Sequence, residues 1–190
     1  MERGLSSVEE SQSLLGNGAT FSSPETTSSR KENGLPAVLL VSQNEINMKL
    51  LQRFMKKFKC TYTGVSNVTD ALEAFKSATG PDRRKFRVVL TDFTVPLQDV
   101  LSLARGIREF EHAQRANTTP KGYDSEGQQE ESQRPSVIAA HFSLCPREIR
   151  DEALGAGIDS ILQHPLRFVD VRSVLQDAGI ECTLVPRTHH

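Results

Sequence analysis

The chain has 190 residues, enough for one domain with a core and flanking tails, and its 23 basic and 24 acidic side chains give a net charge of −1. This balance argues against binding to nucleic acid or to an anionic membrane surface through bulk charge, and we expect neither partner. The three cysteines are widely spaced, which is typical neither of a disulfide framework nor of a zinc knuckle.

Targeting signals are not evident in the sequence. No apolar run approaches the roughly 20 residues that a bilayer crossing needs, and no long apolar segment follows the first methionine. The sequence therefore predicts an intracellular protein, cytoplasmic or nuclear, with no membrane contact by this segment.

Polar composition divides the chain into a folded region and its surroundings. Residues 1–35 are rich in Ser, Thr, Glu, Gly and Asn and are predicted to be a disordered tail. Residues 36–180 are predicted to form one domain, and residues 181–190 a C-terminal tail. A polar segment at about 114–134 is predicted to be a flexible insertion, because structureless loops beyond ~15 residues are uncommon inside compact domains.

Four short apolar runs predict β-strands, and residues 61–65 are a weaker fifth candidate. The continuous apolarity of the four runs favours strands covered on both faces. In chain order the five candidates are residues 38–41, 61–65, 88–90, 137–140 and 160–162. Apolar residues at helical spacing predict helices between and after them. The predicted buried stripes are Ile46, Leu50, Leu51, Phe54 and Phe58; Val68, Ala71, Leu72 and Phe75; Leu103, Ala104, Ile107 and Phe110; and Val171, Val174 and Leu175.

The alternation of strand and helix, repeated five times, predicts the α/β class. We expect a doubly wound, five-stranded parallel sheet with helices on both faces, in the flavodoxin-like strand order 2-1-3-4-5. Such sheets collect their functional groups at the carboxyl ends of the strands. Asp92 directly follows the third apolar run, so it is the leading candidate for a functional residue.

Four segments resemble the receiver domains of response regulators, particularly those attached to hybrid histidine kinases. They are Asn44-Glu45-Ile46-Asn47, Thr91-Asp92-Phe93-Thr94-Val95-Pro96, Ala156-Gly157-Ile158-Asp159 and His164-Pro165-Leu166. The resemblance implies a receiver fold with Asp92 at the phosphoacceptor position. It also implies a phosphorelay module that is not an independent enzyme and whose partner is a histidine kinase or a phosphotransfer protein.

The magnesium ligands that the resemblance implies are largely replaced. Ser42 and Gln43 stand where the family has an acidic pair, so Asp92 is the remaining carboxylate. Because Mg²⁺ prefers carboxylate and phosphate oxygens, Asp92 and Thr94 are expected to form only a weak magnesium site.

Three other positions also differ from the family pattern. His141 corresponds to the hydroxyl residue after the fourth strand, His164 to the phosphate-binding lysine, and Ile161 to the aromatic switch residue. An imidazole is only partly cationic near neutral pH, so it binds phosphate less well than an ammonium group does.

Three functional interpretations remain open. In the first, the domain is a pseudo-receiver with impaired magnesium-dependent phosphotransfer that acts by binding a signalling protein. Its binding face would include Arg147, Glu148, Ile161 and Arg167. In the second, Asp92 is still an inefficient phosphoacceptor.

In the third interpretation, Asp92, His141 and His164 converge in one site. Two imidazoles and one carboxylate suit Zn²⁺, or they form a pH-sensitive cluster. A flavin or nucleotide binder on the same fold is disfavoured, because residues 42–45 lack the glycines that let backbone approach a phosphate.

Overall fold

A computed structural model describes residues 37–78, 86–92, 94–117 and 134–182. Strands and helices alternate along these residues. The strands are β1 (Ala37–Val41), β2 (Thr61–Val65), β3 (Phe86–Thr91), β4 (Val137–Phe142) and β5 (Ser160–Gln163). The helices are α1 (Glu45–Phe58), α2 (Val68–Ser77), α3 (Leu97–Asn117), α4 (Arg147–Gly155) and α5 (Phe168–Asp177).

The five strands form one parallel sheet in the order β2-β1-β3-β4-β5, which confirms the predicted class and strand order. Val41 is level with Thr91, and Thr91 is level with Ala140. The carboxyl ends of β1, β3 and β4 therefore meet at one edge, where the strand-end side chains can form a common site.

Two apolar layers cover the sheet. Val89 and its neighbours pack against α2, α3 and α4, whereas Val88 and Leu90 pack against α1 and α5. The alternation along β3 follows from the two-residue period of a strand. Both faces of the sheet are buried, which explains the continuous apolar runs within β1, β3 and β4.

The predicted buried stripe of α1 is partly wrong. Leu51, Met55 and Phe58 form the buried face, whereas Ile46 is 77% exposed and Leu50 is 38% exposed. At 3.6 residues per turn, Ile46 and Leu50 lie more than a quarter-turn away from the Leu51 stripe. The stripes of α2, α3 and α5 are confirmed in their buried centres. These are Ala71 and Phe75 on α2; Leu103, Ala104 and Ile107 on α3; and Val171, Val174 and Leu175 on α5.

The insertion predicted from about residue 114 to 134 falls partly within the described residues, where α3 continues to Asn117. Residues 114–116 are Gln, Arg and Ala, which favour helix even on an exposed surface. Residues 118–133, which hold most of the predicted insertion, lie outside the described residues. The predicted tail at 1–35 lies outside them, as do residues 183–190 of the C-terminal tail predicted at 181–190. Among the described helices, none has the length and apolarity of a membrane span.

Arg108 on α3 connects the helix to the ends of two strands. Its Nη1 donates to Glu111 Oε2 and to the Ser136 carbonyl, each at 2.8 Å. Its Nε and Nη2 donate to the Gly157 carbonyl at 3.0 and 2.9 Å. Nη2 also donates to Asp159 Oδ2 at 2.6 Å. One guanidinium therefore joins α3, the residue before β4 and the α4–β5 turn.

The carboxylates of this network also bind backbone. Glu111 Oε1 accepts from Ser136 N at 2.7 Å, and Asp159 Oδ2 accepts from Ile138 N at 2.7 Å. Glu111 is only 6% exposed, so its charge depends on the guanidinium of Arg108.

We expect Arg108→Ala to lower the free energy of unfolding by about 3 kcal/mol, because it leaves the buried Glu111 carboxylate without its cation. The measurement is urea unfolding followed by circular dichroism. Arg115→Ala, at an exposed position on the same helix, is the matched control and should change little. Equal unfolding midpoints for the two variants would contradict the role given to Arg108.

Candidate functional site

Asp92 lies directly after β3 at the carboxyl edge of the sheet and is only 2% exposed. Its backbone N–H donates to the Val41 carbonyl at 3.1 Å, so the β1 and β3 ends are joined at this level. A carboxylate buried in this way needs hydrogen-bond donors to offset the loss of water.

Three donors of the chain bind the two carboxylate oxygens of Asp92. Oδ1 accepts from Thr94 N at 2.7 Å and from the Thr94 hydroxyl. Oδ2 accepts from the Ser42 hydroxyl. Both oxygens therefore act as acceptors, which is the hydrogen-bonding role of the ionised form.

The β1–α1 loop is positioned by the start of α1. Asn44 is the N-cap residue, and its side chain accepts from Ile46 N at 2.9 Å and Asn47 N at 3.1 Å. Asn44 N in turn donates to Ser42 Oγ at 3.2 Å. The Ser42 hydroxyl is thus held between the N-cap and Asp92, while the Gln43 side chain is exposed.

The donor set at Asp92 fits Mg²⁺ poorly. Asp92 contributes the single carboxylate, and Glu45 on the adjacent turn is exposed and pairs with Lys49 at 2.6 Å. Ser42 and Gln43 offer only neutral oxygens, whereas Mg²⁺ is usually held by carboxylates and phosphates. The arrangement can satisfy a buried carboxylate without a cation.

The zinc alternative gains no support from the geometry. Within the described ranges, no group of three or more His, Cys, Asp or Glu side chains is placed to hold a metal ion. Asp92, His141 and His164 therefore do not form the predicted Zn²⁺ site, and we do not propose it.

The two histidines do lie next to each other, as the strand order predicted. His141 is 3% exposed, and its ring stacks on His164 with centroids 5.6 Å apart and planes 21° apart. Burial lowers the pKa of His141 below 6.5, and the neighbouring His164 lowers this pKa further. The carboxylates of Asp92 and Asp170 oppose the shift, so the His141 ring lies within electrostatic reach of both.

A cleft of about 450 Å³ opens beside this pair, between β5 and the start of α5. It is lined by Ile161, Leu162, Gln163, His164, Pro165, Arg167 and Asp170. Arg167 binds Asp170 through Nε at 2.9 Å and Nη2 at 2.8 Å, and this contact lowers the pKa of the Asp170 carboxyl. Ile161, the predicted switch position, is half-buried against the core on the α2–α4 side.

Sequence reasoning missed two features of this site. The sequence indicates only that an acidic metal ligand is missing at Ser42, whereas in the structure the Ser42 hydroxyl binds Asp92. Asp170 was not singled out, because it lies on α5 and reaches the histidines only through the fold. One sequence signal pointed to Asp170: it lies three residues after Arg167 at the start of a helix, where an acidic side chain can cap the helix backbone.

The lowered pKa of His141 predicts a stability that falls with acidification. Below pH 6.5 the unfolded chain binds a proton at this imidazole more readily than the folded chain does, so protonation favours unfolding. We expect His141→Leu to remove this part of the loss between about pH 7.5 and 5.5, measured by thermal unfolding.

His112→Leu, which removes an exposed imidazole on α3, is the matched control for His141→Leu. Asp170 does not interfere, because its lowered pKa places its contribution below pH 3.8. If wild type and His141→Leu lose stability in parallel over this range, the predicted role of His141 is wrong.

Comparisons with known proteins agree with this architecture. No family model matches the chain. Over 170 residues it is 26% identical to a protein named response regulator SSK1 from Verticillium dahliae, an alignment covering 78% of this chain. The chain spans about a fifth, 20%, of the length of that curated relative.

Two solved receiver domains share the fold. One is the Ssk1 receiver domain of Saccharomyces cerevisiae, solved in a complex with the histidine phosphotransfer protein Ypd1. Its TM-score is 0.58 and its sequence identity 20%, and the alignment covers 79% of this chain and 93% of the Ssk1 chain. The other is the receiver domain of the sensor histidine kinase PA1611 from Pseudomonas aeruginosa, solved with magnesium in its active-site cleft. Its TM-score is 0.55 and its sequence identity 20%, and the alignment covers 76% of this chain and 98% of the PA1611 chain.

The strand order, the buried aspartate at the end of β3 and the response-regulator relative agree with one another. The described residues have the fold of receiver domains, and the chain is similar in sequence to a response regulator.

Proposed function

We propose that this domain is a receiver-like signalling module of a phosphorelay that acts mainly by binding a partner, with impaired magnesium-dependent phosphotransfer at Asp92. The observation that carries the proposal is the hydrogen bonding of Asp92: hydroxyls of Ser42 and Thr94 bind both oxygens of the single carboxylate. The domain is then a pseudo-receiver and not an independent enzyme, within an intracellular protein.

The electrostatics of phosphoryl transfer support this proposal. The transferred group carries charge that metal ions and cationic side chains neutralise in efficient systems. In this chain, Ser42 and Gln43 occupy the two positions where receiver domains have an acidic pair. His164 occupies the position of the phosphate-binding lysine. We therefore propose that any Mg²⁺ binding at Asp92 and Thr94 is weak, and that an acyl phosphate on Asp92 forms slowly at most.

The proposed partner is a histidine kinase or a histidine-containing phosphotransfer protein. Support comes from the relative named as a response regulator and from the Ssk1 receiver domain solved with Ypd1. The proposed binding face consists of α4, β5 and α5, and includes Arg147, Glu148, Ile161 and Arg167. Ile161 and Arg167 line the cleft, Arg147 and Glu148 lie at the start of α4, and three of the four side chains are exposed.

We expect wild-type protein to gain no phosphoryl group during incubation with acetyl phosphate and Mg²⁺, because Asp92 lacks the metal ligands that neutralise the developing charge. Intact-mass measurement is the readout, and Asp92→Asn is the control for phosphorylation elsewhere. A hydroxylamine-labile mass increase in wild type that is absent in Asp92→Asn would establish the alternative, an inefficient phosphoacceptor.

We expect Arg147→Glu to weaken binding to a histidine-containing phosphotransfer protein by about tenfold, which corresponds to ~1.4 kcal/mol, measured by calorimetry. Arg147 forms only an exposed pair with Asp151 at 3.8 Å, so folding should be little affected.

Lys49→Glu is the matched control, since Lys49 also forms an exposed i,i+4 pair, with Glu45 on α1. Weakening by Lys49→Glu but not by Arg147→Glu would move the binding face to α1. Absence of binding by wild type would overturn the proposed partner.

A further inference from the structure

Ser42 is more than a missing metal ligand. It is 3% exposed at the end of β1, and its hydroxyl binds Asp92 Oδ2 across 50 positions of sequence. The contact joins the β1–α1 loop to the loop after β3.

The hydrogen-bond donors and acceptors around Asp92 are matched. The Thr94 hydroxyl accepts from Gln43 N at 3.2 Å and gives its single proton to Asp92 Oδ1. The Ser42 hydroxyl accepts from Asn44 N at 3.2 Å and has two acceptors within reach, the Asn44 carbonyl at 2.9 Å and Asp92 Oδ2. The charged carboxylate is the stronger acceptor for its single proton. These contacts, with the peptide bond between Gln43 and Asn44, close a ring of hydrogen bonds around the carboxylate. We call it the Asp92 ring; its members are Ser42, Gln43, Asn44, Asp92 and Thr94.

A divalent cation would compete with this ring. Beside the Ser42 hydroxyl, a cation at Asp92 Oδ2 would crowd the bound proton of that hydroxyl, and the other nearby oxygens, those of Ser42 and Gln43, are neutral. Mg²⁺ gives up its water molecules reluctantly and is held mainly by carboxylates and phosphates. The ring is therefore favoured over a bound cation.

We infer that Ser42 is a positioning residue that takes the place of a divalent cation: its hydroxyl holds Asp92 and the β1–α1 loop in a preset, cation-independent arrangement. This inference rests on the proposed function, because it describes how a receiver-like module keeps its strand-end loops ordered without a metal. The Asp92 carboxylate is a structural anchor between two loops in this arrangement.

Thermal unfolding of the full chain with and without millimolar Mg²⁺ tests the inference. Wild type should show no cation-dependent shift. Ser42→Asp should unfold at a lower temperature without cation, because two carboxylates then face each other, and should recover by about 3 °C or more with Mg²⁺. Ser143→Asp, at an exposed serine beyond β4, is the matched control for an added charge at the same edge of the sheet.

Two uncharged variants test the hydroxyl itself and do not depend on the folding of Ser42→Asp. Ser42→Ala should unfold about 3 °C or more below wild type, with no response to Mg²⁺, because Asp92 Oδ2 loses its donor. Ser42→Thr keeps the hydroxyl and should restore the wild-type midpoint.

Two outcomes would overturn the inference: stabilisation of wild type by Mg²⁺ as large as that of Ser42→Asp, or equal midpoints for Ser42→Ala and wild type. Neither outcome bears on partner binding, which the Arg147→Glu experiment measures separately. Failure of the inference and failure of the proposed function are therefore distinguishable.

Discussion

The need of one buried carboxylate for hydrogen-bond donors organises the carboxyl edge of the sheet. Asp92 emerges from β3 with almost no access to water, so the chain must supply its donors or lose stability. The loop that follows supplies Thr94, and the end of β1 supplies Ser42. Two loops from neighbouring strands are therefore constrained together by the solvation of a single charge.

Much of the fold could be predicted from the sequence because its signals are local. Continuous apolar runs predicted four of the strands, β2 was a weaker prediction, and the alternation of strands with helices predicted the order β2-β1-β3-β4-β5. Asp92 could be placed at the functional edge because a parallel sheet aligns its strand ends. The buried face of α1 could not be assigned correctly from the sequence. Ile46 and Leu50 are apolar and fit the helical period, yet both side chains are exposed to solvent.

The interactions that were not predicted join positions distant in sequence. Arg108 resembles a surface residue of a helix, yet it binds groups 28, 49 and 51 positions away. The sequence shows at Ser42 only that a metal-ligand carboxylate is missing. It does not show that the serine hydroxyl forms a hydrogen bond to Asp92. Such contacts depend on three-dimensional register, which single-residue patterns do not contain.

The hydrogen bond between Glu111 and Ser136 has a consequence for how the domain tolerates change. It joins the last part of α3 to the residue before β4, so it connects the described chain on the two sides of residues 118–133. With the ends pinned there, doubling the length of such a connection costs only about 0.6 kcal/mol in loop closure. Evolution can therefore lengthen or rewrite this segment while the sheet and the Asp92 ring stay intact.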